Sequence, residues 1–428
     1  MSDPFHQRAE NTLPAVVLAD LERAGRWAAG AEISLYLVGG AVRDVLLGRS
    51  TLDLDLMTVG GGPTVAGDLA AVLGGRVGAR SPFGTWRIEL PGGRHLDLAI
   101  ARSERYQRPG ALPVVEPSGL DQDLARRDFS VNALAVRLAE PWGEPRDAHQ
   151  GCRDLERRQL RSLHPASFLD DPTRILRGIE LAVRLGSSFE QATAEDALRA
   201  LAGGALDTLS TSRLANAWQR CFGRLLRASP RRLETGLLLA ERLGLLSVLD
   251  PRCVLDPEGR ARAGRLAANS GDPRCRQQPL ELHLLRVLAW DDEPLVAALA
   301  DRWELSATAT AEWTGFAAKL AAVDPTAIER DGRLSTLRRE LAAFGAVGRL
   351  LLEIAAEPRL ERLATRYRDQ VEPFRLTVDG SALIAAGHAP GPEMGAALER
   401  TLEARLDGEI AADDELEYAS RAMRSSSG

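Results

Sequence analysis

Lysine is almost missing from this 428-residue chain: of 54 basic residues, Lys319 is the only lysine and the rest are arginine. Cysteine is scarce too. Cys152, Cys221, Cys253 and Cys275 form no Cys-x-x-Cys pair, which argues against zinc and against a disulfide framework and leaves reduced structural thiols. Aromatic residues make up 5% of the chain, too few for base stacking to be the main grip on a nucleic acid. Positive charge is not in excess: 54 basic against 60 acidic residues leave −6, so any polyanion must be held by local arginine patches. Long apolar runs are absent, the nearest, GLLLAERLGLLSVL, being broken by Glu241 and Arg242. The opening MSDPFHQRAENTLP has no basic start and no apolar core of a signal peptide. These absences point to a cytoplasmic protein with no membrane segment.

What is present is an ordinary globular composition, 45% hydrophobic and 27% charged, with length for two to four domains. Up to about Asp147 strand and helix signals alternate with Gly and Pro. Leu35–Val38 reads as a strand, Gly39–Gly40 as a turn and Ala41–Leu47 as a short helix closed by Gly48. Asp53–Met57 reads as the next strand, and TWRIEL and RHLDLAI flank a Pro-Gly-Gly turn as an antiparallel hairpin. From about Gly151 to Glu357 the pattern is helical, interrupted by a polar loop, Asp256–Pro279. Beyond Pro373 two helices flank HAPGP, and Met423–Gly428 reads as a frayed tail.

Asp53 and Asp55 are the first residues to carry chemistry. Strand alternation puts Leu52, Leu54 and Leu56 on one face and both acids on the other, their roots roughly 6.6 Å apart. Like charges that close raise each other's pKa unless a cation lies between them. The plain alternative is a solvated edge strand. Gly39–Gly40 precedes the acids by about a dozen residues, and Arg43 follows it. A strand-to-helix glycine turn suits phosphate, and an acid pair suits the divalent ions of phosphoryl transfer. Asp97, on the neighbouring strand, either completes the metal set or is a surface acid.

Several segments, in order, resemble the class II tRNA nucleotidyltransferases and bacterial poly(A) polymerases, a polymerase-β-like family. LVGGAVRDVLLGRSTLDLDLM resembles their first signature. ARSERYQRPGALPVVEPSGLDQDLARRDFSVNALA resembles their flexible loop and Arg-Arg-Asp motif. DAHQGCRDL is similar to the junction signature, with Ala148 where proline is usual, and FLDDPTRILRGIELAVRLG to the nucleobase-selecting helix, with Asp170 where many members carry Glu. LSTSRLANAWQR matches the next neck signature loosely, lacking a Glu before Arg213, and GSALIAAGHAPGPEMGAALERTLEARLDGE resembles the tRNA-contacting tail.

The resemblance implies an α+β architecture: a small mixed-sheet head (20–148), then an all-helical neck (149–225), body (226–357) and tail (358–428). It implies Mg²⁺-dependent transfer of nucleotidyl groups from ATP and CTP to the 3′ end of tRNA. Asp53 and Asp55, with Asp97 as a third candidate, would hold metal. Gly39, Gly40 and Arg43 would hold the triphosphate, and Arg127, Asp128 and Asn132 the sugar and phosphates. Arg177 would reach phosphate or brace Asp171.

Asp171 and Arg174, three apart on one helix face, join an acceptor to a donor. Adenine and cytosine present an amino donor beside a ring-nitrogen acceptor, and guanine and uracil the reverse, so such a pair accepts ATP and CTP without a template. Pro172 at a first helical position makes Asp171 a good N-cap as well. Asp128 or Ser130 could likewise merely cap a following helix. The arginine runs Arg220–Arg232 and Arg359–Arg368 could grip RNA backbone or be solvated helix faces. Members of the family add CCA, CC, a single A or poly(A). The full-length loop argues against a CC-only enzyme, while DDPTR resembles some A-adding members. A small-molecule nucleotidyltransferase or an inactive RNA-binding protein are the alternatives of other classes, and oligomeric state is left open.

Overall fold

A computed structural model describes residues 4–61, 63–81, 83–272, 280–355 and 357–425. The chain divides into two compact units, Met1–Arg224 with Thr235–Val248, and Leu225–Glu234 with Leu249–Gly428.

The first unit begins with helices α1 (Phe5–Thr12) and α2 (Ala15–Gly30). A mixed six-stranded sheet follows, built from β1 (Leu35–Val38), β2 (Asp55–Thr58), β3 (Arg76–Arg80), β4 (Thr85–Glu89), β5 (His95–Ile100) and β8 (Ala135–Arg137). Its strand order is β3-β4-β5-β2-β1-β8; β2 and β5 run parallel and every other neighbouring pair antiparallel. Helix α3 (Gly40–Leu46) follows β1, and α4 (Pro63–Val72) follows β2. A separate hairpin, β6 (Arg102–Arg105) and β7 (Val114–Pro117), leads into α5 (Leu120–Ala125). Beyond β8 lie α6 (Gly151–Arg157), α7 (Ser167–Asp170), α8 (Thr173–Leu185), α9 (Gln191–Ala202) and α10 (Thr211–Trp218).

Strand parity sets the two faces of this sheet. Leu37, Leu56, Leu96 and Leu98 point into the main core with Phe5, Leu21 and Leu69. Burial of each such side chain stabilises the fold by about 1.5–3 kcal/mol. The opposite face carries a smaller cluster of Val38, Met57, Ala101, Leu124 and Ala135, and on it stand Asp55 and Asp97.

The expected strand-turn-helix at Leu35–Leu47 and the expected β4–β5 hairpin are both present. The second strand differs: it starts at Asp55, so Asp53 and Leu52 precede it, and Leu52 is 60% exposed instead of facing the core. The cause is local, because Thr51 Oγ1 accepts the Asp53 N–H (3.2 Å) and strand pairing begins only at Asp55.

The second unit is helical. The expected polar loop Asp256–Pro279 is a helix over Pro257–Ala268, with the Asp256 carboxylate capping the Gly259 N–H; residues 273–279 lie outside the described residues. The tail forms helices Gly380–Ala385, Pro392–Leu406 and Glu415–Ser425, so the frayed end expected from Met423 is helical to Ser425, and 426–428 lie outside the described residues. Arg359, Arg362, Arg366 and Arg368 are spent inside the unit: Arg362 pairs with Glu329 (2.8 Å), Arg366 donates to the Gly332 carbonyl (2.8 Å) and Arg368 pairs with Glu353 (2.8 Å), while Arg359 donates to Thr326. That run ties helices together, while the Arg359 and Arg362 side chains stay 50% and 60% exposed. Among the described residues no helix is long and apolar enough to cross a membrane.

Candidate active site

Strand β1 ends where Gly39 takes φ +70°, a left-handed conformation that side chains resist. A Cβ there would also stand 2.7 Å from Nη1 of Arg127 and 3.9 Å from Oδ2 of Asp55. One missing side chain thus opens a cradle between the glycine turn, a guanidinium and a carboxylate. The Gly39 N–H is used by the fold, donating to the Leu134 carbonyl (2.9 Å). The N–H groups at the front of α3 have no acceptor within the helix.

Asp55 opens β2, and Asp97 lies directly beside it on β5. The two acids differ in their partners. Arg87, opposite Asp97 on β4, donates to both Asp97 oxygens (3.1 and 3.3 Å). Asp55 has no ion pair among the described residues. Desolvation first, then the charge of Asp53, pushes its carboxyl up to about 6, with Asp97 adding and Arg127 and Arg177 opposing. Asp53 and Asp55 therefore form a crowded acid pair with no direct ion pair among the described residues.

The donor chemistry fits a hard divalent ion. Among the described residues no group of three or more His, Cys, Asp or Glu could enclose a metal. Two carboxylates sharing an ion with substrate phosphates is the pattern of Mg²⁺-type sites, in contrast to all-protein cages.

Behind the cradle the arginines are paired. Arg43 is buried and donates through Nε to Asp44 (2.8 Å) and through Nη1 to the Asn132 side-chain oxygen. Burial lowers its pKa. It braces the floor of the site, and its guanidinium is not a free phosphate arm. Arg127 donates to the buried Asp123 (3.0 Å) and to the Asn132 carbonyl (3.2 Å). Asp128 is almost fully satisfied: Oδ1 accepts the Phe129 N–H (2.8 Å) and the Asn132 amide (3.0 Å), while Oδ2 accepts Arg177 Nε (3.0 Å) and pairs with its Nη2 (2.7 Å). Burial alone would raise its pKa, but Arg177 and these hydrogen bonds hold it at about 2. Arg177 thus braces Asp128 and not Asp171. No helix follows for Asp128 or Ser130 to cap; Ser130 starts a short 3-10 turn and its hydroxyl donates to Asp154 (2.5 Å).

Asp171 combines two roles. Its Oδ1 accepts the Thr173 N–H (3.2 Å) and hydroxyl (2.7 Å), but α8 begins at Thr173, so Pro172 takes the N-cap position expected for Asp171, which braces the helix start from one residue further out. The same oxygen pairs with Nη2 of Arg213 on α10 (3.1 Å), leaving Oδ2 without a hydrogen bond among the described residues. Arg174 is 5% exposed and turned inward, donating to Ser167 Oγ (2.7 Å), the Arg126 carbonyl (2.8 Å) and Tyr106 Oη (3.4 Å). The two selector candidates share a helix start but hold different partners. Tyr106 donates to the buried Glu104 (2.9 Å), which also pairs with Arg126 (2.7 Å), so the hairpin base and the selector helix interlock.

Arg213, Tyr106, Ser167, Asp123 and Arg126 were not named as site residues from the sequence. All fall within or beside the quoted motifs, but only the fold brings Arg213 within reach of Asp171, 42 positions away.

Residues 35–161 match the poly A polymerase head domain. An A-adding tRNA nucleotidyltransferase of Geobacter sulfurreducens is 32% identical over 96% of this chain and 47% of its own length. A CC-adding tRNA nucleotidyltransferase of Deinococcus radiodurans is 45% identical over 39% of this chain and 44% of its own. The chain spans about half the length of the curated relatives it matches. A CCA-adding enzyme solved in its apo form II superposes with a TM-score of 0.83 at 24% identity, covering 98% of this chain and 99% of that one, which shows a shared fold. Residues 35–161 thus carry a poly A polymerase head domain, and the chain as a whole is similar to an A-adding tRNA nucleotidyltransferase and shares the fold of a CCA-adding enzyme.

Proposed function

We propose that the chain is a template-independent tRNA nucleotidyltransferase that moves nucleotidyl groups from CTP and ATP to the 3′ end of tRNA, with Mg²⁺ as its metal. The observation that carries this is the cradle at Gly39, where the glycine turn, Arg127 and the uncompensated carboxylate of Asp55 meet within 3.9 Å of one point. A tRNA substrate places the work in the cytoplasm. Residues 20–148 would hold the chemistry, 149–225 the base selection, and 226–357 and 358–428 the RNA.

Asp53 and Asp55 would hold the metal, with Asp97 a neighbour whose charge is already met by Arg87. Bound there, a divalent ion neutralises the triphosphate and acidifies the attacking hydroxyl. The chain's own residues do the rest. Gly39 keeps the cradle clear, and Gly40 and the front of α3 offer backbone donors to phosphate. Arg43 and Asp128 hold Asn132 from its two ends, fixing an amide at the floor where the sugar would lie. Arg127 contributes positive charge beside the phosphates, and Arg177 holds Asp128. Asp171 Oδ2 is an open acceptor for an exocyclic amino group, and Arg174, buried on Ser167, Tyr106 and the Arg126 carbonyl, would have to turn from these partners to reach the ring nitrogen.

A second reading, restricted to addition of the terminal A, is favoured by the Geobacter sulfurreducens A-adding relative, whose match runs along 96% of this chain. The intact β6–β7 hairpin speaks against CC-only addition. Purified protein given transcripts ending before CCA, after CC, or complete, with each labelled nucleotide, decides among these. Incorporation of C and then A supports CCA addition. Extension only of the CC-ended transcript, by one A, supports the second reading, and no extension of any transcript overturns both.

A further inference from the structure

Arg213 touches two elements at once. Its Nη2 pairs with Asp171 Oδ1 (3.1 Å), and its Nη1 donates to the carbonyl of Gly110, at the tip of the β6–β7 hairpin. The tip is seated closely. Gly110 has φ +67°, its N–H donates to the Leu169 carbonyl (3.1 Å), and a Cβ there would collide with Thr208 Oγ1. Leu169 stands two residues before Asp171, so the hairpin tip grips the selector segment by its backbone and, through Arg213, by its carboxylate.

We propose that Arg213 is a specificity-determining positioning residue: bridging Gly110 and Asp171, it fixes which carboxylate oxygen is spent and which is presented to the nucleobase. Two geometric facts carry this. Oδ1 of Asp171 is filled by Thr173 and Arg213, whereas Oδ2 has no hydrogen-bond partner among the described residues. A carboxylate held by one oxygen cannot rotate to offer the other edge, so a single acceptor faces the base and a keto oxygen meets no donor there. An arginine suits the task because its planar fork reaches two acceptors from two nitrogens, which an ammonium on a flexible stem does not. Arg174, turned toward Ser167 and the Arg126 carbonyl, does not restrain Asp171.

This rests on Asp171 being the acceptor of the base amino group, and the test separates the two. The CTP-to-UTP and ATP-to-GTP ratios of kcat/KM are measured on tRNA transcripts for wild type, Asp171→Asn, Arg213→Ala, Gly110→Ala and the Asp171→Asn/Arg213→Ala double variant. Arg213→Ala is expected to lower the discrimination ratio by about tenfold or more, since a site loses selectivity when its polar groups are no longer fixed. Gly110→Ala, which displaces the tip from Thr208 and leaves Arg213 in place, is expected to lower the ratio in the same direction and guards against misfolding of the arginine variant. The double variant should discriminate no worse than Asp171→Asn alone, the mark of residues acting as one unit. A purely structural arginine would slow all nucleotides alike. If Arg213→Ala and Gly110→Ala leave the ratio unchanged while Asp171→Asn collapses it, Arg213 is not a specificity residue. If Asp171→Asn itself leaves the ratio unchanged, the reading of Asp171 falls first and the role of Arg213 with it.

Discussion

Asp55 and Asp128 belong to the same compact unit, the first with a solvent-facing side and the second buried, and they are held in opposite electrostatic states. Asp128 receives four contacts from Phe129, Asn132 and Arg177 and sits at about 2. Asp55 receives none among the described residues, and desolvation first, then the charge of Asp53, pushes it up to about 6. A carboxylate at about 2 strengthens the fold at neutral pH, whereas one at about 6 weakens it there. A fold tolerates the second kind where a cation completes it. The satisfied acid is therefore read as scaffold and the unsatisfied one as chemistry, and the same contrast runs between Asp97, paired with Arg87, and Asp55 beside it.

The comparison breaks most visibly at Asp55. Asp55→Asn is expected to reduce nucleotide addition by about a thousandfold or more, since a metal-ligating oxygen is lost, while melting temperature stays level or rises because a like-charge contact is gone. Turnover within tenfold of wild type would remove Asp55 from the chemistry. Asp128→Ala should show the reverse weighting. It leaves Arg177 unpaired and Asn132 unanchored, costing about 2–3 kcal/mol, less than the ~3–5 kcal/mol of a fully buried pair because the Arg177 side chain is 57% exposed. Urea unfolding measures it, and a loss below about 0.5 kcal/mol, the range of ordinary surface substitutions, would mean that the corner is not scaffold.

Much of this frame is legible in the residues. LVGG and the AVRDVLL that follows announce strand, turn and helix because glycine stands where φ must turn positive, and the β4–β5 hairpin is declared by Pro-Gly-Gly between alternating strands. The acid pair, too, is visible from spacing. Partner choice is not. Arg43 looks like a phosphate arm until Asp44 and Asn132 are seen to hold it, and nothing in the run Arg359–Arg368 announces its bonds to Glu329 and Glu353. Arginines are long, and which acid each reaches depends on contacts far apart in the chain. Asp53 reads as strand for a smaller reason: alternation continues through Thr51–Leu54, but residue pairing in the sheet begins only at Asp55, with the Leu54 carbonyl accepting the Asp97 N–H (2.9 Å).

A pH series sharpens the contrast. Asp55 has a folded-state pKa raised from 3.8 to about 6, so the folded protein holds that proton more tightly than the unfolded chain. Its contribution to metal-free stability is present below about 4 and is lost as pH rises through 6. The amount is on the order of 1 kcal/mol after discounting for its solvent-facing side. Asp128 behaves oppositely, its contribution being present above about 4 and lost as pH falls toward 2. His283, in the second unit, is lowered to about 4 by burial and loses stability as pH falls from 6.5 to 4, within the Asp55 window but with the other sign. Subtracting the curve of Asp55→Asn from that of wild type, both in chelator, cancels His283. The difference should favour wild type increasingly as pH falls from 6 to 4, and added Mg²⁺ should shift that midpoint downward. A difference curve without slope across this interval would mean that Asp55 is not strained.

The smallest effect lies at Asp171, where scaffold and chemistry share one side chain. Its Oδ1 makes a cap-like bond to the Thr173 N–H at the start of α8, and its Oδ2 has no hydrogen bond among the described residues. Asp171→Ala removes both, and loss of such a cap costs about 1 kcal/mol. Asp171→Asn keeps an oxygen for the Thr173 N–H and replaces the open acceptor by an amide donor. The two variants should therefore part company: the alanine protein melts lower, while the asparagine protein melts close to wild type yet prefers keto bases more than either. Thermal unfolding of both proteins beside their CTP-to-UTP ratios tests this, and the physical reason is the division between the two oxygens. If Asp171→Asn instead loses stability as Asp171→Ala does and leaves the ratio untouched, Asp171 is a cap alone, and it joins Asp128 on the side of the scaffold.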